Sequence, residues 1–181
     1  MIDFETVNVF LENKRHVTIR PVFSSEADEV AEFFKIVTEE TEFLSKQSDE
    51  ASSPAEIGRF LQVLERSENS LFLVAKSGGE VIGMGQVVFR NRKKSRHRAT
   101  VSVAIKRKFW GLGLGTALMK GMTAFSEKNG AKQLELTVMS ENRRAINLYE
   151  RQGFVEVGRM PNAYLMKDGS FCDEISMVKI L

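Results

Sequence analysis

The feature that most constrains this chain is the run Gly111-Leu112-Gly113-Leu114-Gly115, which lies between a Val-rich segment and an apolar stretch with helical spacing. Glycine at every second position lets the backbone turn sharply and keeps Cβ atoms from standing between its amides and a ligand. Where such a turn opens a helix, the unpaired N–H groups of the first turn point outward, beside the positive end of a dipole worth roughly half an elementary charge. A phosphate or pyrophosphate is the natural occupant. Two common nucleotide loops do not fit the spacing. A P-loop requires Gly-Lys followed by Ser or Thr, and Gly115 is followed directly by Thr116; a dinucleotide fingerprint beginning at Gly113 requires glycine at position 118, where Leu118 stands. Tight packing of strand against helix is the alternative use of the same glycines.

Around this loop the chain carries a regular succession of strand and helix signals. Residues 17–21 read as a short strand ended by proline. Ser25 and Asp28 form a capping-box pattern ahead of Val30, Phe33, Phe34 and Val37, the apolar face of a first helix. Ser53-Pro54-Ala55-Glu56 starts a second helix, with Ile57, Phe60, Leu61 and Leu64 on its face. Residues 71–75 and 81–89 flank Ser77-Gly78-Gly79 and predict an antiparallel hairpin, and residues 99–105 return as a third strand after a basic turn. Beyond the glycines come a helix stopped at Asn129-Gly130, a strand over 133–139 and a helix over 142–152 closed by Gly153. Two terminal strands follow, over 154–160 and 171–181. The expected fold class is mixed α/β (α+β-like), with an antiparallel N-terminal meander and a strand, helix, strand, helix C-terminal half. With no repeat, linker or low-complexity tract, residues 1–181 are expected to form one domain.

Composition narrows the partners. A hydrophobic content of 43% in 181 residues supplies one substantial core, and a formal charge of +2 lacks the excess of a nucleic-acid binder, so an anion must be gripped locally. Cys172 is the single cysteine, which excludes an internal disulfide; with histidines only at 16 and 97, no protein-built metal site is expected. The first five residues lack the basic start of a secretory signal, and no apolar run approaches the roughly 20 residues of a membrane span. A cytoplasmic protein with neither nucleic acid nor membrane as partner is the expectation.

Residues 101–105, Val-Ser-Val-Ala-Ile, lead through Phe109-Trp110 into the glycines and Thr116-Ala117-Leu118, and this stretch resembles the coenzyme A motif of the GNAT superfamily of N-acetyltransferases. Asn142-Arg143-Arg144-Ala145-Ile146-Asn147-Leu148-Tyr149, followed by Gly153-Phe154, resembles the second motif of the same superfamily. Together with the strand order, the resemblance spans residues 17–180. It implies a GNAT-like acyl-CoA N-acyltransferase fold with acetyl-CoA as co-substrate. It further implies that the backbone of Val103 and Ile105 bonds the pantetheine arm and that the amides of Gly111, Leu112, Gly113, Leu114, Gly115 and Thr116 hold the pyrophosphate. Asn142 would meet the arm from the other side, with Tyr149 near the sulfur. One position departs: the superfamily usually has Arg or Gln where Trp110 stands. Its polar contact is expected to be missing here, with Lys106, Arg107 or Lys108 supplying charge instead.

Acetyl transfer to an amine requires a neutral nucleophile, a donor to the oxyanion and a proton for the departing thiolate. A backbone amide of the strand ending at Ile105 is the candidate oxyanion donor. Tyr149 is the candidate acid, since a phenol of pKa about 10 can protonate a thiolate of about 8.5; packing on the stripe with Ala145 and Ile146 is its alternative use. Glu135 is the candidate base, acting through water on an amine of pKa about 10.4, with half-burial against a basic neighbour as the alternative. The resemblance places acceptor recognition on the first two helices and the last hairpin. There Glu39, Glu40 and Glu42 beside Phe43 form either an acidic dock for an amine or a solvated helix end. The basic run from Arg90 to Arg98 reads as a solubilising turn. The expected activity is transfer of an acetyl group to the primary amine of a small molecule or amino acid by direct attack on the thioester, with a homodimer as one open assembly. A protein N-terminal or lysine acetyltransferase, and a coenzyme A-binding sensor without catalysis, are the alternatives.

Overall fold

The computed structural model describes residues 4–44, 50 and 52–181. Among them, the strands are β1 (Val7–Phe10), β2 (His16–Pro21), β3 (Ser70–Ser77), β4 (Glu80–Phe89), β5 (Arg98–Ile105), β6 (Gln133–Met139), β7 (Val155–Leu165) and β8 (Phe171–Ile180). The helices are α1 (Ala27–Glu40), α2 (Pro54–Glu65), α3 (Leu114–Lys128) and α4 (Arg143–Arg151). The strands form one sheet in the order β1-β2-β3-β4-β5-β6-β8-β7. Every neighbouring pair is antiparallel except β5 and β6, which α3 connects as a parallel crossover.

Helices cover both faces, which is why β3 reads as an unbroken apolar run instead of an alternating one. Leu71, Leu73 and Ala75 join Leu118 and Met122 of α3 and Ile146 of α4 in one core. Phe72 and Val74, pointing the other way, join Val30, Phe33 and Val37 of α1 and Leu61 of α2 in a second. β1 was not legible as a strand: its four residues are too few for a period and are mostly exposed, yet Asn8 and Val9 pair with Thr18 and Val17.

The two helix starts on the second face differ. The Ser53 box forms as the sequence predicts, with the Glu56 carboxylate accepting the Ser53 N–H at 2.8 Å and Ser53 Oγ accepting the Glu56 N–H at 3.4 Å. The expected Ser25–Asp28 box does not cap α1. Instead a 3-10 turn over Ser24–Glu26 precedes it, and the Glu26 carboxylate accepts the Phe23 N–H at 3.0 Å. That carboxylate also takes both Arg20 nitrogens, at 2.8 and 2.7 Å, and Lys76 Nζ at 2.9 Å, so one acid side chain pins α1 to β2 and β3.

Glu26 is only 8% exposed, so the arrangement works because the charge is fully paired. The Arg20 hydrogen bond leads in lowering its pKa, against the opposing cost of burial, and with Phe23 and Lys76 brings it to about 2 from 4.5. A lowered folded-state pKa gives stability that is present above the unfolded value and lost as pH falls towards the folded one. Glu26→Gln should therefore destabilise the protein by roughly 3 kcal/mol at pH 7. The difference in melting temperature from the unmodified chain should shrink as the pH is lowered from 4.5 towards 2, as measured by thermal melts at several pH values.

Candidate active site

The parallel pair is where the sheet comes apart. β5 and β6 pair only at Arg98↔Gln133, Ala99↔Leu134 and Thr100↔Glu135, and then separate. β5 stays bonded to β4 up to Gly83↔Ile105, and β6 to β8 up to Met139↔Glu174. Antiparallel bonding alternates along a strand, and the bonds Arg90 N–H to Arg98 O (3.0 Å) and Lys106 N–H to Ile82 O (3.1 Å) set its phase. By that phase Ser102 and Ala104 face β4 with their backbone groups, while Val103 turns both N–H and C=O, and Ile105 its N–H, into the gap.

The gap opens into a cleft of about 940 Å³ whose lining includes Val103, Ile105, Gly111, Gly113, Gly115, Thr116, Asn142 and Tyr149. Of the site residues expected from sequence, Leu112, Leu114 and Glu135 are outside that lining. Leu114 and Leu112 direct their side chains to the core beneath the loop. Glu135, at the last paired position, meets the guanidinium of Arg98, Arg90 Nη2 at 3.1 Å and Gln133 Nε2 at 2.9 Å. Burial alone would raise its pKa, but the bonds from Arg98 and Arg90 hold it below the usual carboxylate range. A carboxylate so held is a poor base, and the geometry does not bring it to the cleft.

The glycines have separate structural reasons. Gly111 (φ 73°) and Gly113 (φ 87°) take the left-handed conformation that a Cβ disfavours. Gly115 lies on α3 facing α4, where an added Cβ would stand 2.8 Å from Leu148 Cδ2. Gly113 is the N-cap of α3 and offers no side-chain acceptor. Consequently six successive N–H groups, from Gly111 to Thr116, donate to no acceptor among the described residues; the loop's carbonyls accept Glu12 N–H at Leu112 O (3.2 Å) and Ala117 N–H at Gly113 O (3.0 Å). An uncapped helix start facing a cleft is a cradle for an anion.

Trp110, where the superfamily usually has Arg or Gln, turns its Nε1 back to the end of β5, donating to Ile105 O at 2.7 Å. Of the expected replacement cations, Lys106 pairs with Glu80 at 2.8 Å, and Arg107 binds Glu40 with its backbone N–H and its guanidinium while also lying 5.4 Å over the Trp110 ring. A further cation reaches the loop from α4, Arg144. Its guanidinium lies 4.8 Å over the Trp110 ring, with Nη1 4.0 Å from where a Cβ of Gly111 would be. Sequence reading gave it no role, because only the folded packing of α4 against the loop shows it. Asn142 caps α4, its Oδ1 accepting the Ala145 N–H at 3.2 Å. Tyr149 is 7% exposed, and burial pushes its phenol up to about 12. Among the described residues no three His, Cys, Asp or Glu side chains gather as a metal site, and no helix is long and apolar enough to cross a membrane.

A mixed sheet that splits at its parallel pair, with an uncapped helix start at the split, forms a cleft fitted to an anionic ligand. Residues 30–154 match the family model described as Acetyltransferase (GNAT) family, and the chain belongs to that family. It is 36% identical over 116 residues to an N-alpha-acetyltransferase of Sulfurisphaera tokodaii, covering 58% of this chain and 68% of that one. It is 27% identical over 109 residues to the L-amino acid N-acetyltransferase AaaT of Escherichia coli, covering 60% and 67%. The solved acetyltransferase of the GNAT family from Streptococcus pneumoniae superposes with a TM-score of 0.85 at 28% identity, covering 91% of this chain and 99% of that one. A Salmonella typhimurium structure, yncA with its cofactor acetyl-CoA, shares the fold at 20% identity and a TM-score of 0.79, covering 91% and 94%. The protein is an N-acetyltransferase.

Gly113→Ala isolates the backbone constraint, because the nearest atom to the new Cβ, Glu12 Oε1, is 4.0 Å away and φ is 87°. The variant should lose about 1–2 kcal/mol of stability in a urea titration through strain alone.

Proposed function

We propose that the chain moves the acetyl group of acetyl-coenzyme A to the primary amine of a small molecule by direct attack on the thioester. The observation that carries this reading is the run of six unpaired amides from Gly111 to Thr116, continuous with the open edge of β5. The amides and the α3 dipole fit a pyrophosphate, with Arg144 adding a cation held over the Trp110 ring. Val103, through N–H and C=O, and Ile105, through N–H, fit the amide-bearing arm as a strand added to the sheet. Asn142 has its Oδ1 engaged as a cap, which leaves Nδ2 to donate from the α4 side. The acetyl-CoA of the Salmonella structure, bound to a protein of the same fold, supports the same use here.

When bound, the thioester supplies an acyl carbon open to attack by an amine. A β5 backbone N–H in the gap can donate to the acyl oxygen as negative charge develops there. Tyr149 holds a proton at its hydroxyl: with its pKa raised to about 12 by burial it stays neutral at pH 7 and can give that proton to the departing sulfur. The surplus proton on the attacking nitrogen, which enters as a neutral amine, is released to solvent, and the phenol is reprotonated from there. Direct attack is favoured because Cys172, the single cysteine, is buried beside Ser140 Oγ at 3.4 Å and does not line the cleft. Glu135 has no part in this reading, since Arg90 and Arg98 hold it outside the cleft.

Two measurements test the proposal. Acetyl-CoA and coenzyme A should raise the melting temperature while NAD and ATP at equal concentration do not; equal stabilisation by NAD would overturn the loop assignment. Tyr149→Phe keeps the ring against Phe154, 6.0 Å between centroids. It should lower kcat about 10²–10⁴-fold with little change in acetyl-CoA affinity. Full activity of the variant with a verified amine would remove the hydroxyl from the mechanism.

A further inference from the structure

The turn between β1 and β2 brings a further element to the glycine loop. Leu11 is 4% exposed and belongs to the same core as Phe109 and Leu114, so the turn is anchored from beneath. Its backbone closes on itself, with Leu11 N–H to Arg15 O at 2.9 Å and Lys14 N–H to Leu11 O at 2.8 Å. Arg15 lies 5.4 Å over the Phe109 ring, and the Glu12 N–H donates to Leu112 O at 3.2 Å. Core packing and backbone bonding therefore fix residue 12 against the loop.

That fixed position carries a carboxylate. Glu12 lines the cleft, and its Oε1 stands 4.0 Å from the point that a Gly113 Cβ would occupy. Gly113 is the N-cap of α3, so a negative charge lies beside the unpaired amides of the helix start. The helix dipole favours a carboxylate there. Yet the Glu12 side chain neither caps the helix nor makes an ion pair or hydrogen bond among the described residues. Holding the loop accounts for the Glu12 backbone; it does not account for the charge.

We infer that Glu12 is a counter-charge built into the coenzyme site: it lies in the field of the α3 start in the free chain and repels the pyrophosphate in the complex. The coenzyme is then held less tightly than the amides, the dipole and Arg144 alone would hold it. The reaction gives this a use. Acetyl-CoA and coenzyme A carry the same pyrophosphate, so whatever the loop contributes to binding the donor it contributes equally to retaining the product. Such uniform binding lowers KM without raising kcat. A fixed negative charge at the edge of the loop offsets part of that grip and favours release of coenzyme A after transfer. Glu12 has no part in proton transfer; it sets affinity through charge, and its effect is therefore sensitive to salt. The inference rests on the acetyl-coenzyme A reading above and deepens it.

The test uses the full chain and two variants: Glu12→Gln, which keeps the shape and removes the charge, and Glu12→Lys, which reverses it. Calorimetry at low salt should show coenzyme A and acetyl-CoA each bound about 3- to 10-fold more tightly by the Gln variant, and more tightly again by the Lys variant. In about 1 M salt the three chains should converge, because charges at the cleft edge are then screened. One coenzyme bound per chain in each titration shows that the variants are folded; if the Lys variant does not fold, the Gln variant and its salt dependence decide. A merely structural Glu12 would give the opposite sign, since disturbing the loop weakens binding. Equal or weaker binding by Glu12→Gln, a folded Lys variant that binds no more tightly than the Gln variant, or a gain that salt leaves untouched overturns the counter-charge while the coenzyme reading stands. Failure of the unmodified chain and both variants to bind coenzyme A overturns the reading beneath.

Discussion

The structure depends on one break in hydrogen bonding, the separation of β5 from β6 after Thr100 and Glu135. Inside a sheet each N–H and C=O is expected to have a partner, and leaving such groups buried without one costs free energy. Here the loss is confined to one short stretch because each strand is held from its other side. β5 continues along β4 to Ile105, and Lys106 just beyond it donates its N–H to Ile82 O and its ammonium to Glu80. β6 continues along β8, and at its end the Met139 carbonyl accepts the Asn142 N–H at 2.9 Å. The gap is therefore bounded by two fixed edges, and its free backbone groups are positioned before any ligand arrives, which lowers the ordering cost of binding.

The same break places the helices. α3 begins where β5 ends, so its unpaired first amides and the free edge of β5 open into one cavity, at the carboxyl ends of a parallel pair where α/β sheets commonly bind ligands. α4 then packs close to α3 because Gly115 has no Cβ to meet Leu148. That close approach brings Arg144 over Trp110 and turns Tyr149 into the cleft wall. The burial that raises the Tyr149 pKa and the exposure of its residue to the cavity come from the same packing. A single helix position thus serves the core and the site.

Sequence made the local parts legible and left the long-range pairings hidden. The glycine loop, the Ser53 box, the strand over Gln133–Met139 and the left-handed Gly153 could be read because each depends on residues a few positions apart. β1 escaped because four exposed residues carry no period, and β7 runs five residues past its expected end because its pairing with β8 survives irregularities at Glu156/Gly158 and Met160/Tyr164. In the site, the spacing of glycines and the Asn142 to Tyr149 helix were legible. What was not legible is which charge meets which. Glu135 is claimed by Arg90 and Arg98 from 45 and 37 residues away, Glu40 by Arg107 and Glu42 by Lys167. Tyr164 and Glu174 are ten residues apart across a hairpin whose register no local signal sets.

Those pairings divide the cleft electrostatically. Arg143, Arg144 and Arg151 line the cleft beside α4, opposed by Glu12 and Glu141, while towards α1 the hydroxyl-bearing Thr41, Ser102, Thr137 and Tyr164 line it beside Val37, Leu44 and Met139. In a narrow, partly water-excluding cleft such charges act at a lower effective dielectric than in bulk, where unit charges 4 Å apart interact by only about 1 kcal/mol. With three arginines against two glutamates, the lining on that side favours an anion over a neutral or cationic ligand, in keeping with the unpaired amides that open α3 beside it.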